Sequence, residues 1–133
     1  MPRIVCLSDT HNYSDEQIKV PGDGDILIHS GDATVRGTLS ETEEFLSWFS
    51  LLPHRHKIFV AGNHDWLYQI DNRFARNLTA DFGIEYLQDS GVEIEGLKIY
   101  GSPWQPWFYD WAFNLRRGEP LAEKWRLIPA DSD

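Results

Sequence analysis

Cysteine is nearly absent: Cys6 is the only thiol in 133 residues. No intrachain disulfide can form, and a lone cysteine in an apolar run is expected to be a small buried thiol in a reducing compartment. Long hydrophobic runs are missing too. No stretch is long and apolar enough to span a bilayer, and Met1-Pro2-Arg3-Ile4-Val5 enters strand-like sequence without a secretory hydrophobic region. These features predict a cytoplasmic protein that does not engage membranes. Positive charge is scarce, with 12 Lys and Arg against 21 Asp and Glu and a net charge of −9. That balance disfavours electrostatic binding to nucleic acid or anionic lipid. It does not exclude an anionic substrate, because bound divalent ions can invert the local field. There are no internal repeats, low-complexity tracts or linkers, so residues 1–133 are expected to form one domain.

What is present in quantity is aromatic. Phe, Trp and Tyr make up 14% of the chain, with six Trp. Three short β-rich runs each end in polar residues: Cys6-Leu7-Ser8-Asp9-Thr10-His11, Ile28-His29-Ser30-Gly31-Asp32 and Val60-Ala61-Gly62-Asn63-His64-Asp65. Buried strands commonly turn at such places, where sites can be built. The chain in order predicts strands over 3–7, 26–29 and 57–60, with a mostly polar loop over 11–25 and a turn near Glu16–Ile18. A helix begins at a capping box of Ser40 and Glu43, turns Phe45, Trp48, Phe49 and Leu52 to one side, and stops at Pro53. A second helix spans 73–82, with Phe74, Leu78 and Phe82 on its inner face and Gly83 closing it. A strand follows over 84–87, then a hairpin over 92–100 around Gly96, and finally a short helix over 121–127. Alternating strands and helices with polar residues at strand ends indicate an α/β fold with a site at the carboxyl edge of a sheet.

Gly62-Asn63-His64-Asp65 alone could be an ordinary turn. Three such junctions point to metal chemistry. Asp9 and His11 are two residues apart, and in extended backbone both would reach one ion. Asp32 adds a carboxylate from a neighbouring strand, able to bridge two cations. Asn63 offers an amide oxygen, and His64 can face substrate. Mixed oxygen and nitrogen donors suit Mn, Fe, Zn or Ni better than Ca or Mg.

The ordered set Asp9-x-His11, Gly31-Asp32 and Gly62-Asn63-His64-Asp65 resembles the calcineurin-like metallophosphoesterases. The aromatic segment Gly101-Ser102-Pro103-Trp104-Gln105-Pro106-Trp107-Phe108, with Trp111-Ala112-Phe113-Asn114, resembles the branch of metallophosphoesterase-domain-containing proteins, some of which act on cyclic nucleotides. The resemblance implies a four-layer α/β/β/α sandwich, here its N-terminal βαβαβ half plus a hairpin. It implies Asp9 and His11 as ligands of a first metal, Asp32 as the bridge and Asn63 as a ligand of the second. His64 would contact the phosphoryl oxygen or assist the leaving group, and Asp65 would orient its neighbours. The implied reaction is phosphodiester hydrolysis by a metal-activated hydroxide, on a small phosphoester substrate such as a nucleotide.

The family pattern also needs a later histidine and a Gly-His-x-His motif, and no histidine follows His64 in this chain. Two divalent ions in the complete site therefore become one or none here, and the domain reads as incomplete at its C-terminus. The alternative is a non-catalytic protein-interaction scaffold on the same fold.

Plainer roles are expected elsewhere. His54-Arg55-His56 reads as a solvated loop, His29 as a packed or ligand-supporting histidine, Asp23 and Asp25 as loop carboxylates, and Arg116 and Arg117 as surface cations. The Trp-rich segment has three uses open to it: core packing, a wall of the substrate cleft, or a partner-binding surface. Rings left uncovered would promote self-association.

Overall fold

The computed structural model describes residues 1–14 and 16–133. Asp15, inside the loop expected over 11–25, lies outside them. Four parallel strands form the central sheet in the order β1-β2-β3-β4: β1 (Ile4–Leu7), β2 (Ile26–His29), β3 (His56–Phe59) and β4 (Glu85–Tyr86). The inner strand β2 is almost wholly apolar and largely buried on both faces, as the middle of a parallel sheet requires. One face, carrying Val5, Leu27 and Phe59, packs against helix α1 (Leu39–Leu51) through Phe45, Leu46 and Phe49. Helices α2 (Leu67–Ile70) and α3 (Asn72–Asp81) extend the same layer through Tyr68 and Ala75. The opposite face, with Ile26, Ile58 and Leu87, is covered by the antiparallel hairpin β5 (Ser90–Ile94) and β6 (Leu97–Gly101). The result is a helix layer, a parallel sheet and a two-stranded hairpin on its other face. That is the α/β architecture expected, in the partial form expected.

Beyond the hairpin, β7 (Gln105–Pro106) pairs with β8 (Asn114–Leu115), and α4 (Glu119–Trp125) follows. This last helix starts two residues earlier than the periodicity predicts because Pro120 sits in its first turn, where its missing N–H costs nothing.

Several sequence expectations need correction. The capping box of α1 is Thr38 with Glu41, not Ser40 with Glu43: the Glu41 N–H donates to Thr38 Oγ1 at 3.2 Å. The inner face of α3 is Ala75 and Thr79, and Phe74 is 43% exposed. Small residues let the helix approach closely enough for the Tyr68 hydroxyl to meet Thr79 Oγ1 at 2.7 Å, while Leu78 and Phe82 pack at the margin. His54 is buried rather than solvated, its Nε2 paired with the Pro21 carbonyl at 2.8 Å. His56 belongs to β3 and faces Glu95 at 3.2 Å.

Cys6 is exposed, not buried. It stands on edge strand β1 opposite Ile28, on the face that the hairpin covers farther along the sheet but leaves open here. The groove there is lined by Ile4, Cys6, Ile28, Ile99 and Ile128. No helix among the described residues is long and apolar enough to cross a membrane.

Candidate metal centre

The three polar junctions meet at the carboxyl edge of the sheet. β1 delivers Asp9 and His11, β2 delivers Asp32, and β3 delivers Asn63 and His64. Asp9 and His11 converge by turning, not by extension. Their φ angles are +54° and +43°, with Asn12 at +63° and Asp32 at +55°. The expectation from extended backbone is thus corrected: these non-glycine residues are held in the left-handed region, a strain that persists at functional sites when surrounding bonds enforce it. Here the enforcing bonds are Asp9 N–H to the Gly31 carbonyl at 2.9 Å, His11 N–H to the Asp32 carbonyl at 3.1 Å and Asn12 N–H to the Ala33 carbonyl at 2.8 Å. The first junction is stitched to the second.

The second and third junctions touch through glycine. A Cβ on Gly31, whose φ is +112°, would lie 2.8 Å from the Gly62 backbone, and one on Gly62 would lie 2.3 Å from Asp32 Oδ1. Neither position has room for a side chain. Main chain meets main chain there.

Among the described residues, Asp9, His11 and Asp32 form a group whose donor atoms lie within 4.8 Å of one another. His11 Nε2 is 3.9 Å from Asp32 Oδ2. Donors bound to one ion at about 2.1 Å sit about 3–4 Å apart, so a small inward adjustment suffices. His11 Nδ1 is occupied by the Thr34 carbonyl at 2.9 Å, which fixes the tautomer and leaves Nε2 for a metal. Carboxylate and imidazole donors held this way fit a divalent transition ion. Three residues are consistent with one bound metal and fall short of a complete binuclear site.

Asn63 stands against Asp32. With its amide nitrogen turned toward the carboxylate it donates to both oxygens, at 2.9 and 3.0 Å. Rotated by half a turn, the same amide presents its oxygen beside Asp32, an arrangement that a cation would stabilise. Asp32 Oδ1 also accepts the His64 N–H at 3.0 Å.

The His64 ring is fixed on three sides. Its Nδ1 meets the Val35 carbonyl at 2.7 Å, His11 stands edge-on at 4.7 Å, and the Trp111 indole lies at 4.3 Å, tilted by 32°. Nε2 is left to act outward. Asp65 lies beneath, 1% exposed, and accepts from the N–H groups of Gly62 (2.7 Å), Thr34 (3.0 Å) and Ala33 (3.3 Å) and from the Thr34 hydroxyl (2.8 Å). Burial pushes its pKa above the ordinary carboxylate value, and these donors oppose the rise. His29 is fully buried among Phe45, Phe49 and Phe59 and bonds Thr10 Oγ1 at 2.8 Å, as expected for a packed histidine supporting the ligand loop. Burial lowers its pKa to about 4.

Beside these ligands a cleft of about 290 Å³ opens between Asp9, Asp32, Asn63 and the Ser102–Gln105 segment. The calcineurin-like phosphoesterase family profile matches residues 2–130. The chain belongs to that family. Within it, the chain is 44% identical to human metallophosphoesterase domain-containing protein 1, over 98% of this chain and 46% of the human protein. It is 37% identical to a Caenorhabditis elegans UPF0046 protein, over 98% of this chain and 51% of the worm protein. A probable rhamnogalacturonate lyase C from Emericella nidulans is also 37% identical, and there the match covers 13% of the larger protein. The chain spans about half the length of the human and worm relatives. Its family places it among hydrolases. The Thr34 and Val35 carbonyls that orient the two phosphoesterase histidines were not foreseen, and a backbone oxygen leaves no mark in sequence. Trp111 lies within the Trp-rich segment, for which a cleft wall is one of the three uses that the sequence leaves open.

Proposed function

We propose that this chain carries the first part of a phosphodiesterase centre that acts on small phosphodiesters, cyclic nucleotides among them. One observation carries the reading: donors from separate strand ends converge within 4.8 Å while the outward-facing His64 ring stands 4.7 Å from His11. Asp9, His11 and Asp32 would hold a first ion, with Asp32 and Asn63 contributing to a second. Manganese suits this mixed donor set. When bound, such an ion lowers the pKa of coordinated water and neutralises phosphoryl charge.

With Nδ1–H committed to the Val35 carbonyl, the neutral His64 ring keeps a lone pair at Nε2, which can take up a proton and, as the imidazolium, give it to a phosphoryl or leaving-group oxygen. Asp65 is a positioning residue: it ties the Gly62 turn to Ala33 and Thr34 and touches no space where substrate could sit. The name of the human relative accords with this reading. A cytoplasmic setting, with its reducing conditions, would suit the exposed thiol of Cys6.

Hydrolysis of bis(4-nitrophenyl) phosphate with added Mn²⁺ tests the proposal. Asp32→Asn and His64→Ala should each lower the rate about 100-fold or more. Wild-type rates from either variant would sink the idea.

A second reading, a non-catalytic scaffold, draws on the three-donor cluster and the absence of histidine beyond His64. Titration of the folded chain with Mn²⁺ separates the two. Stoichiometric uptake supports the enzyme, and a stable fold that takes up no ion supports the scaffold.

A further inference from the structure

The strands that wall the open strip beside β1 all lead to the candidate metal centre. On one side stand Ile4 and Cys6 of β1 with Ile28 of β2, and on the other stands Ile99 of β6. Asp9 comes three residues after Cys6 in the chain, a span of at most about 11 Å. Asp32 follows Ile28 in the same way. Across the strip, β6 ends at Gly101, and the Ser102–Gln105 segment that continues it lines the cleft beside Asp9, Asp32 and Asn63. Ser102 belongs to both spaces, lining that cleft and the groove below it.

The groove has a volume of about 490 Å³, within the size range of small-ligand pockets. Its third side is the segment after α4, which lies back along β6. The Asp133 N–H donates to the Lys98 carbonyl at 2.9 Å and the Lys98 N–H to Asp133 Oδ2 at 2.9 Å, and Ile128 joins the lining. Ile4 and Ile128 are 42% and 44% exposed, so a ligand that covers them removes apolar surface from water. Among the described residues, Tyr100 supplies the only ring in the lining, against five branched aliphatic side chains. Such a lining offers an aromatic ligand little flat surface to stack on, whereas a flexible hydrocarbon can follow it in close contact.

We infer that the groove between β1 and β6 holds the aliphatic chain of a phosphoester whose phosphoryl group lies at Asp9, His11 and Asp32. The inference rests on the phosphoesterase reading for the place of the phosphoryl group alone, and adds alkyl phosphoesters to the substrates of that site. Ser102 marks the passage from the polar cleft to the apolar groove, where the head of such a ligand would give way to its chain.

Calorimetric titration of the 133-residue chain in Mn²⁺ with ethyl, butyl, hexyl and octyl phosphate tests the groove. Affinity should rise about fourfold or more with each added pair of methylenes. Because Cys6 lines the groove, octyl phosphate should also slow its reaction with Ellman's reagent about tenfold, and ethyl phosphate at equal saturation should not. Ile128→Glu puts a charge into the lining at an exposed position that the fold tolerates. It should weaken octyl phosphate about tenfold and leave ethyl phosphate unchanged. Equal affinities along the series, a Cys6 rate that octyl phosphate does not alter, full octyl affinity in a folded Ile128→Glu, or failure of every alkyl phosphate to bind would each overturn the groove. A dimer whose Cys6 is already shielded in the free chain assigns the strip to a second copy and overturns it as well. Equal affinities with diester hydrolysis intact remove the groove but spare the catalytic reading. Chain-length dependence and Cys6 shielding without hydrolysis do the reverse.

Discussion

Both oxygens of Asp65 are taken up by three backbone N–H groups and one hydroxyl, none of which belongs to a ligand side chain. Replacing it with Asn would set an NH₂ against donors that need an acceptor. Hydrogen bonds to buried charge are among the stronger ones, so Asp65→Asn should lower unfolding stability by about 3 kcal/mol in urea titrations. Mn²⁺ affinity should fall with it, because the turn carrying Asn63 loosens. His29 makes a different prediction. Burial holds its folded pKa near 4, whereas in the unfolded chain it titrates near 6.5. Between those values the unfolded chain binds a proton that the folded chain refuses. Stability is therefore full above pH 6.5 and declines as the pH falls toward 4, by on the order of 3 kcal/mol in all. Unfolding measured at pH 7, 5.5 and 4 should show this slope, and His29→Gln should flatten it.

Helix α1 carries two overlapping capping patterns, Thr38 with Glu41 and Ser40 with Glu43, which local sequence cannot rank. The fold ranks them through Gly37. Its φ is +69°, and a Cβ there would come 2.1 Å from the Trp66 N atom, so the chain must turn at that point and start the helix next. Thr38→Ala should cost about 1 kcal/mol and Ser40→Ala almost nothing, as thermal melts would register. Much else was legible. The buried parallel strands read as apolar runs ending in candidate ligands, and the positions of Asp9, His11, Asp32, Asn63 and His64 were all visible at those ends. What was not legible depends on contacts distant in sequence. The phase of α3 is set by how closely Thr79 can approach Tyr68, and the burial of His54 by the Pro21 carbonyl. The convergence of Asp9 and His11 is set by bonds to Gly31 and Asp32 that only the assembled sheet provides.

The molecule as a whole is covered unevenly. Helices blanket one face of the sheet, while the hairpin shields the other without reaching β1. Cys6, in that open strip, should react with Ellman's reagent in the native state at a rate within about tenfold of a free thiol. Slow labelling that accelerates only in denaturant would contradict the exposed placement. The candidate metal ligands inhabit the other extreme of this architecture. Where Gly31 and Gly62 abut, the candidate ligand loops meet main chain to main chain, and no side chain of the hydrophobic core is interposed to shrink or swell. The core can therefore drift without recalibrating the site. Conservative changes among Leu27, Phe45 and Phe49 should alter how many molecules are folded, yet leave each folded copy with the same grip on its ion.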